Sequence, residues 1–268
     1  MVGRSTKLRI RWTARAALMS VSLRVFWIIL VLLPVAGLNA DNQSSKAIGL
    51  LSTAQALSLY DQRVVYKIIR KGKRVGSHTV SIRPISTDNN AQNFTVSVAS
   101  NIKIKMLKIT VFSFDYQATE IWKDGVLHNV DATTLQNGDR KQIIASRQTD
   151  GFKLEIESGV RETDVSTSTV DLFAYASNHW HPGVVNSQQI FNTLTGNVNK
   201  VTIESLGKEE LSLGRGTAAI TVEAERFRYS GGLDAESWYG DDGRWLQLSF
   251  KGSDGSTILY QYAPEESQ

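Results

Sequence analysis

The sequence predicts an all-β protein: a long antiparallel meander curved into an open barrel or half-barrel, with a short helical, lid-like excursion near residues 169–196. Two observations support this fold class. Apolar and polar residues alternate with a period of two along much of the chain, which is typical of half-buried strands. Asp-Gly or Asn-Gly pairs separate the alternating runs, and these residues tolerate the positive φ angles of tight hairpins.

The clearest alternation lies at residues 94–106, where one face is almost wholly apolar and the other carries Thr, Ser, Asn and Lys. A spacing of roughly ten residues between runs indicates sequential antiparallel pairing. The predicted strands are 62–70, 75–85, 92–106, 109–122, 126–135, 140–148, 152–157, 160–167, 199–205, 217–229, 234–239, 244–251 and 256–262.

Residues 1–40 have the organisation of an export signal. Six basic residues and no acid precede an apolar run at 25–38, and the run is followed by a small residue, Ala40. We expect cleavage near Ala40, with Met19 as an alternative start and an uncleaved anchor as the alternative outcome. The apolar run is shorter than the roughly twenty residues that span a bilayer.

The remaining chain is predicted to form a linker at 41–61, a single β-domain at 62–263 and a tail at 264–268. We expect a periplasmic protein, with secretion beyond the periplasm as an alternative.

Charge argues against nucleic acid as a partner. The chain has 30 basic and 26 acidic residues, and removal of the signal leaves 30 − 6 = 24 basic residues, so the mature chain is close to −2. There is no cysteine, which excludes disulfides, thiol catalysis and cysteine metal ligands. No Gly-x-Ser-x-Gly motif or phosphate-binding glycine loop is present either. We therefore expect no cofactor and favour a non-enzymatic protein.

The excursion contains the motif "NHWHPG" at residues 178–183. In an extended segment His179 and His181 would point the same way, as two ligands of a metal would, with Asp171, His128 or His78 as a third ligand. The favoured interpretation is a turn in which Trp180 is anchored in the core. A short helix is expected just before this turn, around Leu172, Phe173, Tyr175 and Ala176.

Four stretches resemble a family of exported bacterial proteins, domain of unknown function 6134. They are "YKIIRKGKRVGSHTVSI" (66–82), "IKIKMLKITVFSFDYQATEIWKDGVL" (102–127), "SNHWHP" (177–182) and "WYGDDGRWLQLSFKGSDGSTILYQY" (238–262). The resemblance implies an exported all-β protein with no established activity. In the family pattern Asn is common at the position of His181, which argues against a metal site there.

The surplus of aromatic residues indicates either a densely packed core, which is the usual case, or a ligand site. We predict a binding module for a lipid or other apolar or amphipathic molecule, with a lid facing aromatic residues across a cavity. The lid would comprise Phe173, Tyr175, Trp180 and Phe191, and the opposite wall Phe112, Phe114 and Trp122. The alternatives are a metal-dependent hydrolase centred on His179 and His181, and a structural or assembly partner that pairs through an edge strand.

A membrane-surface contact is a further possible partner interaction. In the stretch "IKIKMLKI" the period of two places Lys103 and Lys105 on one face of a strand. An ordinary surface with lysine residues is the alternative. The oligomeric state is not predicted.

Overall fold

The computed structural model describes residues 53–60, 63–85, 93–159, 165–214 and 219–267. The predicted export signal at 1–40 lies outside the described residues, as do most of the predicted linker and parts of the predicted strands at 62–70, 92–106, 160–167 and 217–229. Within the described part of the chain, no helix is long and apolar enough to cross a membrane.

The described residues are mostly in strands, with one α-helix, α1 (Thr53–Tyr60), and 3₁₀ helices at Pro182–Asn186 and Pro264–Glu266. The strands are β1 (Val64–Arg70), β2 (Lys73–Pro84), β3 (Phe94–Met106), β4 (Ile109–Lys123), β5 (Val126–Gln136), β6 (Asp139–Arg147), β7 (Phe152–Ser158), β8 (Val165–Val170), β9 (Tyr175–Ala176), β10 (Gln189–Phe191), β11 (Val198–Leu213), β12 (Ile220–Gly231), β13 (Ala235–Gly240), β14 (Trp245–Lys251) and β15 (Thr257–Tyr262).

All of these strands belong to one sheet, in the order β8-β7-β6-β5-β4-β3-β2-β1-β15-β14-β13-β12-β11-β10-β9. The order comprises two antiparallel meanders, β1 to β8 and β11 to β15, that meet where β1 pairs with β15. The sheet is strongly curved and does not close, which confirms the predicted open barrel. The pairing of β1 with β15 is long-range, and the local strand pattern did not predict it.

The face of the sheet that carries the main hydrophobic core is called the inner face below. Residues from nearly every strand contribute to it at alternating positions, as the period-two pattern predicts. On β4, for example, Tyr116, Ala118 and Trp122 are buried inner-face residues, whereas Gln117 and Thr119 between them are exposed.

Residues 171–197, which we call the plug segment, include β9 and β10 at one end of the sheet and pack against β6 and β7 near the other end. Its turn at 192–197 lies against β6 and β7, where Lys141 Nζ donates to the carbonyls of Leu194 and Thr195 at 3.2 and 3.4 Å. Gly196 has a φ of +83°, and a Cβ there would lie 2.8 Å from Cδ1 of Ile156. A residue without a side chain is therefore required at this close approach.

The plug segment contains less helix than the sequence suggested. The short helix expected around Leu172 to Ala176 is not formed: residues 171–173 are irregular and Tyr175–Ala176 is the short strand β9, parallel to β10. Its helical part is the 3₁₀ helix at Pro182–Asn186, which begins directly after His181. Proline favours this first helical position because its fixed φ suits a helix and its missing N–H is not needed there.

Both ends of the predicted β-domain are more structured than a linker and a tail. Ala56 and Tyr60 of α1 are fully buried in the main core, so the packed part of the chain includes residues assigned to the linker. Glu265 and Glu266 both form ion pairs with Lys67 on β1. These contacts attach α1 to the main core, and residues 265–266 to β1.

Candidate functional site

The motif at residues 178–183 is fixed by hydrogen bonds to its backbone. Tyr239 donates its hydroxyl to the carbonyl of His179 at 2.9 Å, and Tyr60 of α1 donates to the carbonyl of Trp180 at 3.1 Å. His179 has a φ of +58°, in the left-handed region that non-glycine residues rarely adopt. Strain of this kind persists only where the surroundings hold it, and these two tyrosines do so.

A buried carboxyl group lies directly beneath this motif. Glu120 on β4 is only 1% exposed, and its Oε2 accepts hydrogen bonds from the indole N–H groups of Trp122 (2.8 Å) and Trp180 (2.9 Å). Its Oε1 accepts from Nδ2 of Asn178 at 2.6 Å. All three donors are neutral, and no described residue forms an ion pair with Glu120. The carboxyl therefore connects β4 to the plug segment through hydrogen bonds alone.

The hydrogen-bond network continues from Asn178 to a second pair of side chains. The hydroxyl of Tyr116 donates to Oδ1 of Asn178 at 2.7 Å and lies 2.7 Å from the hydroxyl of Thr193. Thr193 is at the other end of the plug segment, so one tyrosine links both ends of that segment to β4. The donors and acceptors in this buried network are matched, which makes it a rigid structural element.

Burial and hydrogen bonding have opposite effects on Glu120. Burial favours the neutral acid, whereas the bonds from Asn178, Trp180 and Trp122 favour the carboxylate; burial is the larger effect, so the pKa of Glu120 is raised above 4.5. A raised pKa is a property of many general acids. Here, however, no open space beside the carboxyl admits a substrate, since Trp122, Trp180 and Asn178 surround it and are themselves buried.

The two histidines of the motif do not form a shared ligand pair. His181 stacks on Trp122, with ring centroids 5.3 Å apart and an angle of 12°, whereas His179 contacts Tyr229 at 5.4 Å and Trp245 at 6.1 Å. The positive φ of His179 breaks the extended geometry that would have aligned the two side chains. Nδ1 of His181 also accepts from the backbone N–H of Gly183 at 2.9 Å.

No group of three potential metal-ligating side chains lies together among the described residues. No observation of this structure favours the metal-dependent hydrolase.

Three of the four residues expected to form the lid are core residues. Trp180 packs against Trp122 (5.3 Å), Phe94 (6.0 Å) and Tyr60 (6.1 Å). Phe173 is stacked between Phe152 and Phe191, at centroid distances of 3.9 and 4.5 Å. Direct contact between Trp180 and Trp122 leaves no cavity between the predicted lid and that wall, so the predicted arrangement of the site is wrong in this respect.

The other two residues of the predicted wall lie away from the plug segment. Phe114 and Phe112 are half-buried inner-face residues of β4, paired in register with Ile102 and Ile104 of β3. Phe114 stacks on Tyr116 at 6.3 Å. The structure therefore separates Phe112 and Phe114 from the residues around Trp180, which the sequence had placed opposite them.

Tyr175 and Trp122 line a groove beside the start of the plug segment. The groove has a volume of about 380 Å³ and lies between the β4–β5 turn, the end of β6 and the start of the plug segment. Its walls are Trp122, Gly125, Val126, Leu127, Arg147, Leu172, Phe173, Ala174 and Tyr175. Three of the predicted ligand-binding residues, Trp122, Phe173 and Tyr175, thus line one groove.

Arg147 is the one charged residue in this groove wall. Its Nη1 donates to the carbonyl of Leu127 at 3.2 Å, and the guanidinium lies 5.5 Å from the ring centroid of Phe152. These contacts fix the position of the side chain, while no carboxylate among the described residues neutralises it. A fixed, unpaired guanidinium beside an apolar wall can bind an anionic group bidentately.

A larger groove of about 790 Å³ follows the seam where β7 and β8 approach the plug segment and β11. Its walls include Ser168, Thr169, Asp171, Asn197 and Asn199, and it is open to solvent. Its lining mixes these polar residues with Leu154, Ile156, Val170 and Val198, whereas the groove at Trp122 is lined mainly by apolar groups. It therefore suits an apolar ligand less well than the groove at Trp122.

Glu120, Tyr116 and Asn178 were not identified from the sequence. One signal was present: Glu120 occupies an inner-face position in the alternation of β4, between the buried residues Ala118 and Trp122. A charged residue at a core position predicts a buried polar network. Its partners Asn178 and Trp180 lie 58 and 60 residues along the chain, so no local pattern could have identified them.

Together, the open curved sheet and the packed plug segment define the class as a barrel-like β-protein. A family model, domain of unknown function 6134 (DUF6134), matches residues 66–263, so the chain belongs to that family. The resemblance seen in the sequence is thereby confirmed. The search of curated proteins gave no match.

A solved structure supports the fold assignment. It is the crystal structure of a beta-barrel-like protein of domain of unknown function DUF1849 from Brucella abortus, with a TM-score of 0.51 and 10% sequence identity. The alignment covers 75% of this chain and 95% of that chain. At this identity the similarity concerns the fold alone.

Proposed function

We propose that the protein is a non-enzymatic binding module for an amphipathic ligand with an apolar body and one anionic group, such as a fatty acid. The observation that supports it best is the groove of about 380 Å³, in which Arg147 is the one charged residue of a wall otherwise rich in apolar and aromatic side chains. Its volume lies in the range of small-molecule sites, which is roughly 300–1,000 Å³.

The apolar body of the ligand would contact residues at the mouth of the groove. Val126 and Leu172 are each 40% exposed there, an unfavourable situation for large apolar side chains unless something covers them. Tyr175 is half-buried beside them and contacts Trp122 at 6.1 Å. A bound hydrocarbon chain would remove these side chains from water, which supplies the main favourable contribution to binding.

The anionic group of the ligand would bind Arg147. One N–H of this guanidinium is bound to the carbonyl of Leu127, and the others donate to no described residue. A charged hydrogen-bond donor left without its partner loses about 1.5–3 kcal/mol of interaction. We therefore expect Arg147 to contribute roughly tenfold to a hundredfold to the affinity for a carboxylate ligand.

A displacement titration tests this proposal. The full-length chain is titrated with an undecanoic acid that carries a dansyl group at its far end, and decanoate is used as competitor. We expect enhanced dansyl emission, its displacement by decanoate, and an affinity at least tenfold lower for Arg147→Gln. Arg140→Gln is the matched control, because it removes an exposed arginine from the other end of β6.

A second variant separates groove binding from nonspecific adsorption. Ala174 is an exposed wall residue, so Ala174→Trp fills the groove without disturbing the core. Equal binding by the wild-type chain and Ala174→Trp would contradict the proposal. A second comparison uses decanoate and the neutral decanol. The proposal would also be contradicted if the wild-type chain and Arg147→Gln both bound decanoate and decanol with equal affinity.

The site of action belongs to the same proposal. The basic and apolar pattern of residues 1–40 supports export to the periplasm or beyond, with cleavage near Ala40. N-terminal sequencing of the protein isolated from a cell envelope fraction tests this: a chain beginning near Asp41 supports it, and an intact N-terminus in the cytoplasmic fraction contradicts it.

An assembly role is the second candidate, and an edge strand favours it. In the described sheet β8 pairs only with β7, so its other edge offers unpaired backbone groups to another chain. An envelope pull-down with Ser168→Pro as the comparison variant tests it. A partner captured by the wild-type chain and lost with Ser168→Pro would support assembly through β8, and retention of that partner would contradict it.

A further inference from the structure

The β3–β4 hairpin extends beyond its neighbours in the sheet. The pairing of β2 with β3 ends at Gly76 and Ile102, and that of β4 with β5 ends at Phe114 and Gln136. Residues 103–113 therefore pair in register only with each other, and we call them the projecting hairpin. At about 3.3 Å per residue, its tip at Leu107 lies roughly 16 Å beyond Ile102.

The two faces of the projecting hairpin differ in chemistry. The register places Ile104 opposite Phe112 and Met106 opposite Ile109, which continues the apolar inner face of the sheet. Lys103 and Lys105 lie on the other face, and Lys108 is at the turn. The hairpin is therefore amphipathic, with an apolar face and tip flanked by cations.

Three residues of the tip, Leu107, Ile109 and Met106, are the most exposed large apolar residues in the described part of the protein. Leu107 is 92% exposed, Ile109 69%, Met106 65% and Val111 51%. Isolated exposed apolar side chains are common on soluble proteins, but four within six residues form a contiguous patch. Such a patch rimmed by charge is typical of a surface that binds a partner or a membrane.

The turn at the tip has a strained backbone. Leu107 and Lys108 have φ angles of +49° and +70°, so both occupy the left-handed region. Other tight turns of the sheet, at Lys71–Gly72, Asp124–Gly125 and Asn137–Gly138, have glycine as the second residue. Glycine adopts this conformation without strain, whereas leucine and lysine do not. The tip therefore has an apolar and a basic side chain where the fold alone favours Asn-Gly.

The charge of the projecting hairpin indicates which partner it suits. Residues 101–114 contain three lysines and no acid, and none of the three lysines forms an ion pair with a described residue. Lysine side chains near an apolar surface extend their ammonium groups to the polar boundary. An anionic phospholipid bilayer offers both an apolar interior and a negatively charged boundary at that depth.

We propose that the projecting hairpin is a membrane-docking element that inserts Leu107, Met106 and Ile109 into the interfacial region of an anionic phospholipid bilayer. Lys103, Lys105 and Lys108 contact the lipid phosphates around the inserted tip. This interaction is independent of the groove at Trp122, because the two surfaces share no residue. It assigns a specific geometry to the lysine-rich stretch of β3 and β4.

A site-specific fluorescent probe tests the docking directly. The chain has no cysteine, so Thr110→Cys in the full-length protein can carry a single environment-sensitive fluorophore beside the tip. Vesicles of phosphatidylcholine with 30 mol% phosphatidylglycerol (roughly physiological surface charge) are compared with pure phosphatidylcholine. We expect a blue shift and quenching by doxyl-labelled lipids with the anionic vesicles, reduced by high salt.

Two sets of variants separate docking from other membrane contacts. Lys103, Lys105 and Lys108 changed together to Gln should weaken partitioning on the order of a hundredfold, about fivefold per lysine. Leu107→Asn should also reduce the quenching, although Asn suits the left-handed conformation and preserves the fold. Ile85→Asn and Lys123→Gln are matched controls at the opposite end of the sheet, where the same changes should have no effect.

The location of the probe response decides the outcome. A probe at Thr119→Cys, exposed further along β4, should remain in water while the probe at Thr110→Cys is quenched. The proposal is overturned if anionic vesicles bind the protein without a response at Thr110→Cys. It is also overturned if that probe responds equally without vesicles as protein concentration rises, which would show that a second copy of the chain covers the tip.

Discussion

The plug segment and the projecting hairpin both contain a large apolar side chain and a non-glycine residue with positive φ, but they differ in burial. In the plug segment Trp180 is buried, its indole N–H is bound by Glu120, and its carbonyl is bound by Tyr60. In the hairpin Leu107 is 92% exposed. Both segments contain a non-glycine residue with positive φ, His179 in one and Leu107 in the other. Long-range hydrogen bonds hold the first, whereas nothing in the described structure covers the second.

The difference shows where backbone strain is offset by packing and where it is not. Strain at His179 accompanies two tyrosine hydrogen bonds and a filled barrel end, so it is offset by packing. Strain at Leu107 accompanies exposed apolar area, so removing it should improve stability. Measurements of stability should therefore respond in opposite directions to changes in the two segments.

The largest expected effect is a loss of folding stability in acid, caused by the buried side chains of His78, His179 and His181. Burial lowers the pKa of His78 from 6.5 to about 3, with His179 contributing, and lowers the pKa values of His179 and His181 to about 4. The unfolded chain binds these protons near pH 6.5 and the folded chain does not. Stability is therefore full above pH 6.5 and falls as the pH approaches 4, by up to about 1.4 kcal/mol per pH unit for each histidine.

Glu120 acts in the opposite direction over part of this range. Because its pKa is raised above 4.5, protonation at low pH favours the folded state. Three histidines outweigh one carboxyl, so we expect the urea midpoint to fall between pH 6.5 and about 4. His128→Gln removes a half-buried histidine whose pKa is also lowered by burial, so it should change this slope less than replacement of His78, His179 or His181. A midpoint that is constant from pH 7 to pH 4 would show that these histidines are not buried.

The next largest effect is expected for Trp180→Ala. Removing this buried ring leaves a cavity and takes a hydrogen bond from Glu120, so we expect a loss of about 3–5 kcal/mol in the free energy of unfolding. Leu107→Ala in the projecting hairpin should change it by no more than about 0.5 kcal/mol. Urea unfolding of both variants makes the comparison. Similar losses for the two would contradict the contrast between a buried segment and a free tip.

A smaller loss is expected for Glu120→Gln, which keeps the shape of the side chain. The amide oxygen can accept from one set of donors, but the amide NH2 faces another donor and leaves it unsatisfied. We expect a cost of about 1–3 kcal/mol. Glu157→Gln is the control, because Glu157 is a partly exposed carboxyl on β7 that forms an ion pair with Arg140. Equal stability of Glu120→Gln and the wild-type chain would mean that Glu120 is already protonated in the folded protein at the pH of the measurement.

The smallest effect should be a gain. Replacing Leu107–Lys108 by Asn-Gly, as at Asn137–Gly138, removes left-handed strain and should raise the free energy of unfolding by about 1–2 kcal/mol. Thermal unfolding followed by circular dichroism measures it. The same variant should lose membrane docking, so a gain in stability with loss of docking would connect the strain at the tip to its role. A loss of stability would show that the turn is not strained.

Local patterns predicted most of the strands because alternation and turn residues act over a few positions. The runs at 94–106 and 126–135 match β3 and β5 closely for this reason. The plug segment was harder, since its conformation depends on Tyr239, Tyr60 and Glu120, which are distant in sequence. The short helix expected before His179 had a suitable local pattern, but tertiary hydrogen bonding and pairing with β10 favour a strand there.

For the candidate site, the sequence suggested which aromatic residues to consider but not how they are arranged. The sequence shows that the chain is rich in aromatic residues, but it does not show which ring packs against which. Trp122 and Tyr175 line the groove, whereas Trp180 and Phe191 fill the core, and Phe112 belongs to the projecting hairpin. Arg147 was missed because a lone arginine at the end of a strand has no distinguishing pattern.

Ligand binding in the groove is the central claim, and methyl NMR tests it most directly. Adding decanoate to the full-length chain labelled at Leu and Val methyl groups should shift Val126, Leu127 and Leu172 and leave Val98 and Val201 on the inner face unchanged. The shifts should saturate, and Ala174→Trp should abolish them. Shifts confined to residues outside the groove, or none at millimolar decanoate (well above the roughly micromolar range expected of a specific site), would contradict the account.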